Sequence, residues 1–184
     1  MYYNRRKQII KSGIIITFIL MVAVITTHHI YYKFKNERNV LYNSESLDII
    51  FHEKSGDKVT LTKVTPVTDS VGLSSKEYNF TVKNNLDTKV NYSIKLSDDK
   101  KSVIVDECGE YLMPKDIIKV SIKEEKNSDK IYTLNGLDNG TLKKDSIKGH
   151  GEKNYTIRVW VGTNTLTTGT NLHYHGKIKV EEEK

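Results

Sequence analysis

From Leu47 onward the apolar residues of this chain recur at every second position, and this restricts its fold more than any other feature. In "EYNFTVKN" the residues Tyr78, Phe80 and Val82 alternate with Asn79, Thr81 and Lys83. In "KVNYSIKL" Val90, Tyr92, Ile94 and Leu96 alternate with Lys89, Asn91, Ser93 and Lys95. Successive side chains of a strand point to opposite faces, so a period of two gives one buried and one solvated face; a helix would need apolar spacings of three and four. Both segments therefore read as half-buried antiparallel strands. The turn residues of "NNLDT", Asn84 to Thr88, join them in an expected hairpin.

Further strands are expected at Leu47 to Glu53, Lys58 to Thr65, Ser102 to Asp106, Ile117 to Lys123, Lys130 to Leu134, Asn154 to Gly162 and Leu172 to Glu181. So many short strands with turn-rich gaps predict an all-β domain, a sandwich or a barrel. Pro66 and Pro114 fall between strands, where a missing N–H does no harm. "CGEYLMPKD", Cys108 to Asp116, is expected to be a crossover or short helical turn, and Thr163 to Asn171 a surface loop.

The N-terminal part has a different character. Residues 14 to 32, "IIITFILMVAVITTHHIYY", follow a basic leader and precede Lys33 and Lys35. At ~1.5 Å per residue they are just long enough for a hydrocarbon core of ~30 Å. His28, His29, Tyr31 and Tyr32 then lie in an interfacial zone that favours amphipathic rings. With no A-x-A pattern after the apolar run, the expectation is an uncleaved signal anchor, with a cleaved signal peptide as the alternative. The chain then divides into a basic leader (1–12), a membrane segment (13–32), a linker (33–46) and one extracytoplasmic domain (47–184). The lipid bilayer is the partner of residues 13–32, with the N-terminus inside.

Charge follows this division. Of 29 basic and 23 acidic residues, Arg5, Arg6, Lys7 and Lys11 belong to the acid-free first 32 positions, leaving 25 basic against 23 acidic in the remainder. The basic balance thus belongs to the leader, and no clustered basic face or stacking-aromatic motif indicates nucleic acid. A single cysteine, Cys108, excludes an intramolecular disulfide and a cysteine-rich zinc site, and it reads as a packed thiol.

With the strands placed, their order resembles a known family. "YNFTVKNNLDTKVNYSIKL", "NGTLKKDSIKGHGEKNYTIRVWV" and "HGKIKV" resemble successive segments of the camelysin/TasA family, surface proteins of Gram-positive bacteria. The resemblance covers about Leu47 to Val180. It implies an extracytoplasmic antiparallel β-sandwich of jelly-roll or Ig-like type, similar to subunits of biofilm matrix fibres. In such fibres a freed N-terminal stretch, here about Asn36 to Glu53, completes a neighbour's sheet. The absence of clear small residues at a processing site is the departure from the family.

Catalytic signals are few. Some camelysin relatives carry a metalloprotease label, but no H-E-x-x-H occurs; "FHEKSG" places His52 beside Glu53 with no second histidine four residues on. The candidate metal ligands are His173 and His175 in "HYHGKIKV". A strand puts them on one face with Lys177 and Lys179, opposite Leu172, Tyr174, Gly176, Ile178 and Val180. Zinc needs a third and usually a fourth ligand, and two lysines disfavour a cation, so a solvated strand face is the expectation. Arg158 and Trp160 form a second outward pair, read either as an interface hot spot or as a structural cover at the sandwich edge.

The expected protein is therefore non-enzymatic and binds no cofactor. It is a membrane-anchored or secreted cell-surface protein acting by protein–protein association. The alternatives are a monomeric accessory or binding domain of a membrane-bound surface complex and, behind it, a metalloenzyme using His173 and His175.

Overall fold

The structure is a computed structural model that describes residues 21–22, 26–27, 40–43, 46–99, 111–125, 127–163 and 172–183. The chain divides into two units, Met1–Arg38 and Asn39–Lys184. In the first, Met21, Val22, Thr26 and Thr27 are helical, and the Thr26 hydroxyl donates to the Val22 carbonyl at 2.8 Å, one turn back. Among the described residues no helix is long and apolar enough to cross a membrane. Most of the expected membrane segment, like Cys108 and the expected strand at Ser102 to Asp106, lies outside them.

The second unit is built from two sheets. The strands are β1 (Val40–Asn43), β2 (Leu47–Phe51), β3 (Lys58–Thr62), β4 (Glu77–Asn84), β5 (Val90–Asp98), β6 (Tyr111–Leu112), β7 (Ile118–Glu124), β8 (Lys130–Thr133), β9 (Thr141–Ile147), β10 (Glu152–Val161) and β11 (Leu172–Glu182). A single helical turn, α1 (Asp69–Gly72), lies between β3 and β4. Six strands form one sheet in the order β1-β2-β4-β10-β7-β8; the second sheet runs β3-β11-β5-β9, with β6 parallel to the start of β11. Every other strand pair is antiparallel.

The alternation seen in sequence faces one shared core. Phe51 stacks towards Phe80 and Phe80 onto Tyr155, with ring centroids 5.4 and 5.5 Å apart. Tyr155 of the first sheet meets Tyr92 of the second edge-on, and their hydroxyls lie 2.6 Å apart. All four rings are under 2% exposed. Burying a side chain of this size stabilises by ~1.5–3 kcal/mol, so this aromatic column is a main link between the sheets.

Four expectations are corrected. First, β4 and β5 do not form a hairpin: β4 pairs with β2 and β10, β5 with β11 and β9, in opposite sheets. "NNLDT" is a crossover, built around the fully buried Asn84. Its amide donates to the carbonyls of Thr88 (2.7 Å), Lys148 (3.0 Å) and Ile147 (3.3 Å), and its Oδ1 accepts from the Leu86 amide. The neighbouring β9–β10 crossover docks against it, so closely at Gly149 that a Cβ there would lie 3.0 Å from Asp87 Cα and nearer still to its carbonyl.

Second, the expected linker contains β1, which pairs with β2 from Val40↔Phe51 to Asn43↔Asp48. Third, the described part of "CGEYLMPKD" contains the strand β6, and the crossover expected there follows it, through a turn at Lys115 and Asp116, to β7 of the other sheet. Fourth, β9 escaped the alternation because two of its inward positions are charged. Lys143 and Asp145 lie opposite the core residues Ile94 and Tyr92, and an extra residue at the Ile94/Lys95 step breaks the period beyond them.

Candidate functional site

The paired histidines sit where β11 is held on both sides. His173 lies opposite Thr62 of β3 and beside Leu112 of β6, and its carbonyl accepts from the Met113 amide at 2.7 Å. Tyr174 and Gly176 face the core with Ile178, so His173 and His175 do share the outer face, as parity requires. The expectation of a solvated pair nevertheless fails at His173, which is only 2% exposed. Strand parity reports which face a residue takes, but what lies over that face is set by neighbouring chain.

The rings of His173 and His175 are 5.4 Å apart and tilted by 52°. Both His173 ring nitrogens and His175 Nε2 are buried without a hydrogen-bond partner, and His175 Nδ1 has a long contact of 3.5 Å with the Thr60 hydroxyl. A buried polar atom left unpaired costs ~1–3 kcal/mol, so this is an expensive arrangement for a purely structural pair. Burial, and then the neighbouring His173, hold the His175 imidazole below its ordinary value; Asp99 acts in the opposite sense. His175 is thus neutral at pH 7. Lys177, which counted against a cation, is paired with Asp57 at 2.8 Å. Among the described residues no group of three or more His, Cys, Asp or Glu converges on one point. Among the described residues, the two imidazoles are the donors on this face.

His52 and Glu53 are held elsewhere. His52 Nε2 lies 2.8 Å from the Thr81 hydroxyl, and the Glu53 carboxylate accepts from the Asn79 backbone and side-chain amides. They belong to a polar ladder across the outer face of the six-stranded sheet, continued by Thr81 with Asn154 and by Thr156 with Asn79.

Arg158 and Trp160 stand on that same face, but neither forms an open patch. Arg158 bridges the Glu77 and Asp129 carboxylates, leaving 11% of its side chain exposed. Trp160 is 3% exposed because α1 crosses it: Gly72 sits against the indole, and Trp160 Nε1 donates to Asp69 at 3.3 Å. The segment is anchored by the Val67 amide, which donates to the Val161 carbonyl at 2.8 Å. Trp160 was expected to cover the sandwich edge; it is the residue that is covered.

A charged cluster that strand patterning missed closes the gap between the sheets. Glu124 on β7 and Lys153 on β10 occupy inward positions, as do Lys143 and Asp145 on β9. Lys143 reaches Glu124 (2.5 Å) and Asp145 (3.2 Å), Lys153 reaches Asp145 (2.9 Å) and Glu124 (3.1 Å), and the Tyr155 hydroxyl donates to Asp145 at 2.8 Å. Burial would raise the Asp145 carboxyl, but hydrogen bonds from Lys153, Tyr155 and the Ser146 amide outweigh it and hold it well below the carboxylate range. Burial would lower Lys153, yet Asp145 and Glu124 push it up. The hydrogen bond from Lys143 leads in holding Glu124 down, and burial pushes Tyr92 up to about 12. General acid–base work at neutral pH needs a group that titrates near it. These groups are driven away from neutrality, which suits an ionic clasp between sheets. The sequence clue was a run of charges inside a segment flanked by strands, readable only once β9 is known to be one.

One small cavity, of about 190 Å³, opens between β2 and β11, lined by Ile49, Phe51, Ile178 and Val180 with Asp57 and Lys177 at its rim. No protein-family model, no curated protein and no solved structure matches the chain.

Proposed function

We propose that this chain is a non-enzymatic, extracytoplasmic surface protein, held at the cell membrane by residues 13–32 or released from them, that acts through protein–protein association. In this reading its two-sheet domain is of jelly-roll or Ig-like type and similar to the camelysin/TasA fibre subunits. The observation that carries it is β1, which among the described residues is an edge strand paired only with β2 and is formed by the stretch that follows the apolar segment. An edge strand presents unpaired N–H and C=O groups, the means by which a second chain extends a sheet. The stretch Asn36 to Glu53 that the resemblance assigns to strand exchange contains β1 and β2.

The test is N-terminal sequencing of the native protein together with sedimentation of a polypeptide beginning at residue 36. Concentration-dependent assembly is expected; an intact Met1 would identify the anchored form and rule out a released fibre subunit. A strictly monomeric product across pH and salt would overturn association through this edge. That outcome would favour an accessory domain of a membrane-bound complex.

A further inference from the structure

The histidine pair of β11 has a chemistry that the association reading does not use. His173 and His175 are two residues apart on one face, their rings are 5.4 Å apart, and three of their four nitrogens are buried without partners. With metal–imidazole bonds of about 2 Å, ring centres at this separation can share one ion in a bent arrangement. Zinc and other divalent ions ask for four or more donors, and no third His, Cys, Asp or Glu converges here among the described residues. A monovalent d10 ion asks for less, and copper(I) can be held by two imidazoles alone.

We propose that His173 and His175 form a two-coordinate site for a soft monovalent cation, copper(I), on the outer face of the five-stranded sheet. Of the two lysines on this face, Lys177 is paired with Asp57 and Lys179 is exposed to solvent, while Asp99, whose amide donates to the His175 carbonyl at 2.9 Å, brings negative potential to the pair. No redox step is involved; the ion is bound, not turned over.

The full chain in detergent, titrated anaerobically with copper(I) against a chromogenic copper(I) chelator, should retain one equivalent, with X-ray absorption showing two nitrogen neighbours and no sulfur. His175→Gln should weaken retention at least tenfold while the circular dichroism spectrum stays native; this variant spares the more deeply buried His173. Cys108→Ser, which removes the rival soft ligand, should retain the ion. No retention by the folded wild type, undiminished retention by His175→Gln, a sulfur neighbour, or loss in Cys108→Ser would each overturn the proposal.

Discussion

Trp160 is the sole tryptophan of the chain, which makes its burial under α1 directly measurable. The perturbation is Gly72→Ala. A Cβ at position 72 would lie 2.5 Å from Trp160 Cγ and nearer still to Cδ2 and Cε2, well inside the 3.0 Å that real Cβ contacts respect. The indole cannot retreat into the sheet, because Trp160 is a β10 residue paired with Lys119 of β7. Overpacking of this kind costs ~1–3 kcal/mol. Alanine would return at most ~1 kcal/mol of helix propensity, and α1 is too short to use it fully. The net expectation is a loss of about 1–2 kcal/mol, with α1 displaced and the indole wetter. Urea unfolding followed by tryptophan emission should show a lower midpoint, and the native spectrum should shift to the red with greater iodide quenching. Asp69→Ala, which removes only the 3.3 Å hydrogen bond, should cost less than Gly72→Ala. An unchanged midpoint and an unchanged emission maximum in Gly72→Ala would refute the placement of α1 over Trp160.

The ionic clasp gives the domain a defined pH dependence. Asp145 and Glu124 have lowered values in the folded state, so their contribution is present above the unfolded carboxylate range of about 4 and is lost as pH falls through the folded values. Lys153 is raised, so its contribution is present below its unfolded value and is lost only as strongly alkaline pH passes the folded one. Asp145→Asn should cost ~1–3 kcal/mol at pH 7, since the pair is only partly desolvated, and should flatten the acid limb of a melting-temperature profile; an unaltered acid limb would sink the argument. Asn84→Ala removes the side-chain hydrogen bonds to the carbonyls of Thr88, Ile147 and Lys148 together and should cost about 2–4 kcal/mol in thermal unfolding, whereas a neutral result would mean the two crossovers do not depend on it.

Much of the strand content was legible because burial has a local signature. Tyr78, Phe80 and Val82 must all face one way in any strand, and they are buried at 3%, 0% and 0%. β9 was illegible for the same reason in reverse: its inward face carries Lys143 and Asp145, tolerable only because Glu124 and Lys153 arrive from the other sheet. At the candidate site, the shared face of His173 and His175 followed from spacing alone. That His173 is buried, that Lys177 is neutralised by a residue 120 positions away, and that Trp160 lies beneath a turn from 90 positions earlier did not.

What the chain determined by itself is a period of two, and with it an all-β domain in which the core faces of the alternating strands could be named. Which strands are neighbours was decided only in three dimensions. Side-chain pattern encodes the direction of burial, but the groups that join strands are backbone N–H and C=O, and every residue but proline carries the same pair. β4 and β5, adjacent in sequence and alike in pattern, could therefore lie in opposite sheets without any change in the letters between them.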